Sequence, residues 1–342
     1  KESMMIKVLC SFVESEMHKM ANHPESPTRF SQMQSWVKSP PYEGISFVKA
    51  NPATHEEILL VHSPEMLLSL KIACSIGLHE IESAPTFVTA QTCDAMREAV
   101  GAVLLLSRMV QKGDQSKRGF AIVRPPGHHA NRDKPSGFCL LNNTAIAVRD
   151  ALTRGLERVA IIDFDGHHGN GTQEIFQKDE RVAFFSLHQE DYYPGTGNLN
   201  DQVAGRIINL PLPFNTCDEV FEPIVERIFE PWLKNFEPEM IFISAGFDGH
   251  IADPLTGLAF STTGYHAFTE RLIDLAEELC EGRILFILEG GYDPLGLKEN
   301  IQAVLCALAE QEEFPDSYGK NPFDCPDIQN RLDYLVKIHK LD

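Results

Sequence analysis

Apolar residues fall along the chain in two rhythms. Short runs rich in Val, Ile and Phe occupy 120–123, 159–162, 182–187, 240–244 and 284–288. Runs that are apolar at consecutive positions leave no face for water, so each predicts a strand covered on both sides, as in a parallel sheet. Over 95–110, 142–153, 219–234, 264–280 and 297–310 the apolar residues instead recur three and four apart, the spacing of a helix with one buried stripe. Strand and helix alternate, which predicts an α/β fold: a doubly wound, mostly parallel sheet flanked by helices on both faces. Ser39-Pro40-Pro41 and the stretch from Pro211 to Pro213 mark loops, and the polar segment 312–326 reads as a surface tail before a short helix near 331–337. No fixed-period repeat and no Pro-, Gly- or Ser-rich linker divides the 342 residues, so one domain over 1–342 is expected.

Polar residues and glycines collect where the predicted strands end. After the first run comes Arg124-Pro125-Pro126-Gly127-His128-His129, and after the second Asp163-Phe164-Asp165-Gly166-His167-His168-Gly169-Asn170. The later runs lead into His188, into Gly246-Phe247-Asp248, and into Glu289-Gly290-Gly291-Tyr292. Ligands of open α/β sheets bind outside the carboxyl ends of the strands, so these segments are expected to meet in one cleft.

Their residue types suit metal-assisted hydrolysis. Asp165 and His167 stand two apart and point to the same side of an extended chain, where they can share an ion. Asp248 can supply a third ligand, and two carboxylates with one imidazole leave an open position on zinc, as catalytic sites require. Iron(II) or cobalt would tolerate the same donors. Water at such an ion ionises near pH ~7. His128 and His129 follow a rigid Pro-Pro-Gly turn and are suited to take and return a proton, with Asp163 and Asn170 available to hold their second ring nitrogens. Tyr292, after two glycines, can donate its hydroxyl to a developing oxyanion.

Composition removes other classes. With 43% hydrophobic and 23% charged residues the chain can build a core. Thirty Lys+Arg against 49 Asp+Glu leave a net charge of −19, which repels polyanions, so direct nucleic-acid binding is not expected while a cationic substrate is drawn in. No apolar run approaches the roughly 20 residues that span a bilayer, so no membrane partner is expected. Lys1, Glu2 and Ser3 precede a short apolar run without a positive region, and no secretory signal is expected. Eight cysteines with no CxxC pair read as free thiols of a cytoplasmic protein. GxSxG, HExxH and GxxxxGK[ST] motifs are absent, which removes the main support for serine-hydrolase, zincin and P-loop chemistry. Gly195-Thr196-Gly197 follows Tyr-Tyr-Pro rather than a strand and reads as a turn.

Six ordered motifs resemble the zinc-dependent histone deacetylase superfamily, in particular its class II-like branch and the bacterial amidohydrolases. They are 124–129, Ser136-Gly137-Phe138-Cys139-Leu140-Leu141-Asn142-Asn143, 163–172, 193–197, 244–248 with Asp253-Pro254, and 289–292. His23-Pro24-Glu25 and Val61-His62-Ser63-Pro64 extend the likeness. The resemblance implies the arginase-deacetylase fold and hydrolysis of an acetylated amine. It implies one zinc on Asp165, His167 and Asp248, with Tyr292 polarising the carbonyl, His129 as general base and acid, and His128 as an electrostatic partner oriented by Asp163. Asn170 opposite His129 is the class II-like choice, and without a negative charge there His129 is expected to be less basic. Phe138 and Tyr193 are implied as the tunnel walls, with Gly137 beside them and Leu255 at the gate, and Arg29 near an acetate exit. Structural potassium is implied at an inner site of Asp163, Asp165, His167, Ser186 and Leu187 and an outer site of Phe176, Asp179, Val182 and Arg206. The implied substrate is an acetylated lysine of a protein or peptide, favoured by the apolar Leu255. The alternative is an acetylated polyamine, for which Glu14 and Glu16 could serve. An arginase-type dimanganese hydrolase and a non-catalytic acyl-lysine reader are more distant readings, and an oligomer is left open. The lack of added domains or a nuclear-import cluster favours a bacterial cytoplasmic enzyme.

Overall fold

The computed structural model describes residues 7–82 and 84–341; Lys1, Glu2 and Ser3 lie outside them. Ten strands occur among the described residues: β1 Val8–Val13, β2 Ile45–Phe47, β3 His79–Glu80, β4 Phe87–Val88, β5 Arg118–Val123, β6 Val159–Asp163, β7 Val182–Gln189, β8 Ile207–Leu212, β9 Ile241–Ala245 and β10 Ile284–Leu288. The short pair β3 and β4 is antiparallel. The other eight form one sheet in the order β2-β1-β5-β10-β9-β6-β7-β8, with every neighbouring pair parallel. Helices cover both faces, as the alternation of patterns predicts.

Residue alternation divides the core between those faces. On one side lie Cys10, Phe120, Ile122, Ile162, Ile243 and Phe286 with Phe229 and Trp232; on the other lie Leu9, Ala121, Ile161, Phe242, Leu285 and Ile287 with Val100 and Ile146. Each fully buried large aliphatic or aromatic side chain contributes about 1.5–3 kcal/mol, which explains why the central strands are built mostly of apolar residues. Long helices begin at side-chain caps: Asn142 accepts from the Ala145 amide at the start of Asn143–Thr153, Ser261 from Gly264 at Thr262–Cys280, and Asp293 from Gly296 at Pro294–Leu308.

Three sheet strands, β1, β2 and β8, do not follow from the apolar runs. β2 is three residues long at one edge, and β8 at the other edge contains Pro211, a residue a ladder tolerates where one side of the strand is unpaired. The helix expected over 219–234 is broken into a 3-10 turn Asp218–Val220, α-helix Phe221–Ile224, a π-turn Val225–Phe229 and α-helix Glu230–Phe236. Pro223 and Pro231 each lack an amide proton, which interrupts the regular ladder.

A buried ion cluster anchors the carboxyl end of β5. Arg124 donates to Glu25 through Nε at 2.5 Å and Nη2 at 2.8 Å, and to the carbonyls of Glu14 and His18 at 2.6 and 3.0 Å. Burial raises the Glu25 carboxyl, but Arg124 outweighs it and brings the group down to about 2. A carboxyl depressed on folding stabilises the fold above its unfolded value near ~4.3 and loses that contribution as pH falls through the folded value.

Two stability predictions follow from this packing. A Cβ added at Gly101, in the middle of helix Thr92–Lys112, would sit 2.1 Å from the Asn51 carbonyl oxygen. Overpacking costs about 1–3 kcal/mol, against the ~1 kcal/mol by which alanine favours a helix, so Gly101→Ala should lower the denaturation midpoint; an unchanged or higher midpoint contradicts the contact. Glu25→Gln should destabilise by about 3–5 kcal/mol at neutral pH, with the gap to wild type closing as pH drops from ~4.3 towards 2. A gap that stays constant across that range refutes the ion-pair account.

Candidate active site

The four central strands β5, β10, β9 and β6 are adjacent, and the residues after their carboxyl ends carry the polar cluster. At its centre Asp165, His167 and Asp248 each offer a donor atom, all within 4.8 Å of one another. His167 Nδ1 lies 2.8 Å from Asp248 Oδ2 and 3.2 Å from Asp165 Oδ1. Backbone amides hold the carboxylates: Gly166 donates to Asp248 Oδ1 at 2.7 Å and Gly290 to Asp165 Oδ2 at 2.8 Å. Glycine is needed for this approach, since a Cβ at Gly246 would meet Asp165 Oδ2 at 1.9 Å and one at Gly290 would meet Asp248 Oδ2 at 2.5 Å. Two buried acids and an imidazole, all converging with oxygen and nitrogen lone pairs, form a donor set that fits a divalent cation such as zinc.

Beside the triad stand the paired histidines. His128 Nδ1 is 3.0 Å from Asp163 Oδ2, and His129 Nδ1 is 2.7 Å from Asn170 Oδ1. Both orienting partners expected from the sequence are therefore in contact with their rings. Burial opposes charging of His128, but Asp165 and Asp163 overcome it and push the ring up to about 10. A cation on Asp165 would offset much of that pull. Burial, reinforced by His128 and His167, takes His129 well below the ordinary imidazole value, so it is neutral and able to accept a proton. The two rings, 4.0 Å apart between centroids, thus have opposite charge preferences.

A cavity of about 230 Å³ opens onto this cluster and is lined by His128, His129, Gly137, Phe138, Tyr193, Leu255 and Tyr292. Phe138 takes φ +67° after Gly137 at +53°, an unusual backbone fixed when the Phe138 amide donates to Thr86 Oγ1 at 2.9 Å. Tyr193 sits edge-on to His129 at 5.1 Å, and its hydroxyl is 2.8 Å from Ser136 Oγ. The phenol of Tyr193 is thereby tied to the wall. Phe138 and Tyr292 meet edge to face at 5.8 Å. A larger surface groove of about 870 Å³, lined by Asp218, Glu222 and Arg271 among others, contains none of these groups, so chemistry rather than size picks out the smaller cavity.

Several supports were not assigned from the sequence. Glu289 Oε2 accepts from the Gly127 and His128 amides at 2.6 and 3.1 Å, fixing the histidine turn from the neighbouring strand. Asp253 Oδ2 accepts from the Tyr292 amide at 2.5 Å while its Oδ1 accepts from the Leu255 amide at 2.9 Å, which ties the Leu255 backbone to the tyrosine loop. Ala84, Pro85 and Tyr192 also line the cavity. A polar residue ending an apolar run was the one available signal, and it marked Glu289 alone. Arg29 donates to the carbonyls of Gly291 and Glu289, both at 2.7 Å, and its guanidinium lies 4.8 Å over the Tyr292 ring.

The residues expected to hold potassium divide. Asp163 is in register with Ser186, so the inner set lies where the end of β6 meets β7. The outer set is a correction: the carbonyls of Phe176, Asp179 and Val182 do converge, but on Arg206 Nη1, at 3.0, 3.1 and 3.1 Å. The chain supplies its own cation there, and a potassium ion in the same cage would meet the guanidinium. All eight cysteines are free, as expected, and no described helix is long and apolar enough to cross a membrane.

Comparison with known proteins agrees with this geometry. A histone deacetylase domain model matches residues 23–308. Histone deacetylase 14, chloroplastic, of Arabidopsis thaliana is 36% identical over 326 residues, covering 89% of this chain and 77% of the relative. A probable deacetylase of Archaeoglobus fulgidus is 39% identical over 282 residues, covering 80% and 77%. The crystal structure of the HDA15 HD domain superposes with a TM-score of 0.85 at 29% identity, covering 97% of this chain and 94% of that one. With the motifs, the parallel sheet and these matches in agreement, the chain belongs to the histone deacetylase family of hydrolases.

Proposed function

We propose that the chain is a zinc-dependent deacetylase, one catalytic domain that removes acetyl groups from lysine side chains of peptides or proteins. The observation that supports this most is that the triad, both oriented histidines and Tyr292 all border one narrow cavity with aromatic walls. Asp165, His167 and Asp248 would hold the ion. Zinc in such a site polarises an amide carbonyl and lowers the pKa of water to about 7.

The chain's own groups do the rest. With Asn170 Oδ1 accepting from Nδ1, His129 keeps a free Nε2 that takes a proton from the attacking water and later delivers it to the leaving amine. His128, held by Asp163, stands beside it as an oriented electrostatic partner. Tyr292 donates its hydroxyl to the carbonyl oxygen as negative charge builds there, while burial holds that phenol protonated. Phe138 and Tyr193 grip the alkyl chain and exclude water. Leu255, between cavity and solvent, favours the methylenes of an acyl-lysine over a second charge of a polyamine. We assign the inner strand-end set of Asp163, Asp165, His167, Ser186 and Leu187 to one structural potassium. The eight free thiols suit a reducing compartment such as the cytoplasm.

Tyr292→Phe and His129→Ala should each keep the metal content of the wild type and lose about 10²-fold or more in kcat; near-normal turnover by either variant removes that role. An acetyl-lysine peptide should be cleaved with a higher kcat/KM than N-acetylspermidine, and chelation should abolish both activities. The reverse preference would make the chain an acetylpolyamine amidohydrolase, and binding of the peptide without turnover would make it an acyl-lysine reader.

A further inference from the structure

Away from the metal-ligand cluster, two thiols meet between helices. Cys74 lies in the last turn of helix Pro64–Ile76 and Cys93 is the second residue of helix Thr92–Lys112. Their sulfurs are 2.9 Å apart, so closing to the ~2.05 Å of a disulfide needs less than an ångström of movement. The two are not equivalent. Cys74 is buried and Cys93 is partly open to solvent. Cys93 also sits at a helix N-terminus, where the peptide dipoles favour a thiolate. The adjoining Cys74 thiol, with Lys71 and Arg97 near, holds Cys93 below the ordinary thiol value despite its burial and Asp94. Cys217 and Cys325 are neighbours as well, but there the Cys325 thiol faces the Cys217 backbone.

We propose that Cys93 and Cys74 are a redox modification site, a dithiol that hydroperoxides convert to a reversible disulfide. The Cys93 thiolate attacks the outer oxygen of the hydroperoxide, forming an S–O bond as the O–O bond breaks, and the departing alkoxide takes up a proton as alcohol. Cys74 sulfur then attacks Cys93 sulfur, the S–S bond forms, the S–O bond breaks, and the hydroxide leaves with the Cys74 proton as water. Two thiols lose two electrons and the peroxide gains them.

The position of the pair gives this modification a consequence for the tunnel, and that part rests on the deacetylase reading. The chain between the two cysteines carries Ala84 and Pro85, which line the cavity. Pro85 also accepts through its carbonyl from His23 Nε2 at 2.8 Å, and Thr86 Oγ1 accepts from Phe138. A disulfide staples both ends of the segment that supports this wall, so it acts on substrate binding more than on the chemical step.

The test treats the full wild-type chain with hydrogen peroxide, traps remaining thiols by alkylation, and maps the peptides by mass. The expected product is a Cys74–Cys93 linked peptide lighter by two hydrogens, restored by dithiothreitol; in Cys74→Ser, Cys93 should proceed to sulfinic acid. Recovery of both thiols in alkylated form, while other cysteines oxidise, overturns the proposal, and this readout needs no turnover. With the disulfide complete, KM for the acetyl-lysine peptide should change by about twofold or more with a smaller change in kcat. Cys93→Ser should show no such response to peroxide. An unchanged KM in the fully cross-linked chain refutes the coupling to the tunnel.

Discussion

Two carboxylates buried side by side constrain everything else in this molecule. Asp165 and Asp248 are both almost fully removed from water, and each backbone amide that reaches them neutralises only a fraction of their charge. Like charges at that separation in a dry site are tolerated only with a cation between them or a proton upon one of them. His167 turned toward both oxygens, glycines that let the chain approach, and the four adjacent strand ends all serve that concentration of negative charge. A divalent cation held by Asp165, His167 and Asp248 would resolve that repulsion.

The paired histidines show how one buried field can give two identical rings opposite charge preferences. Against burial, Asp165 and Asp163 favour charge on His128, whereas burial, His128 and His167 disfavour it on His129. The two rings therefore differ in charge preference, a division produced by neighbours rather than by residue type. Glu289 and Asp253 each join loops from different strands through backbone amides, which ties the His128 turn, Tyr292 and Leu255 into one hydrogen-bonded frame.

Much of this was legible in the sequence because burial writes itself plainly. The central strands are covered on both faces and so appear as unbroken apolar runs, and a polar or glycine residue at the end of such a run nearly always faces the cleft. Edge strands are different: β2 is too short to leave a pattern and the proline in β8 reads as a turn. The partners that hold the site were hidden for another reason. Arg124 and Glu25 are 99 positions apart, and a lone charged residue in a loop looks like any solvated one until the fold brings its counter-ion to it. Arg206 is the sharpest example, since backbone carbonyls can be predicted to converge, but not that a side chain of the chain itself fills the cage they make.

The most direct test of the central claim is the divalent metal content of the purified chain and of Asp248→Ala, measured alongside a spectrum that reports folding. The account predicts one zinc-class ion per wild-type chain and its loss from the folded variant. A variant that stays folded and keeps a full equivalent of metal would contradict it, because the buried acids would then not be what holds the ion.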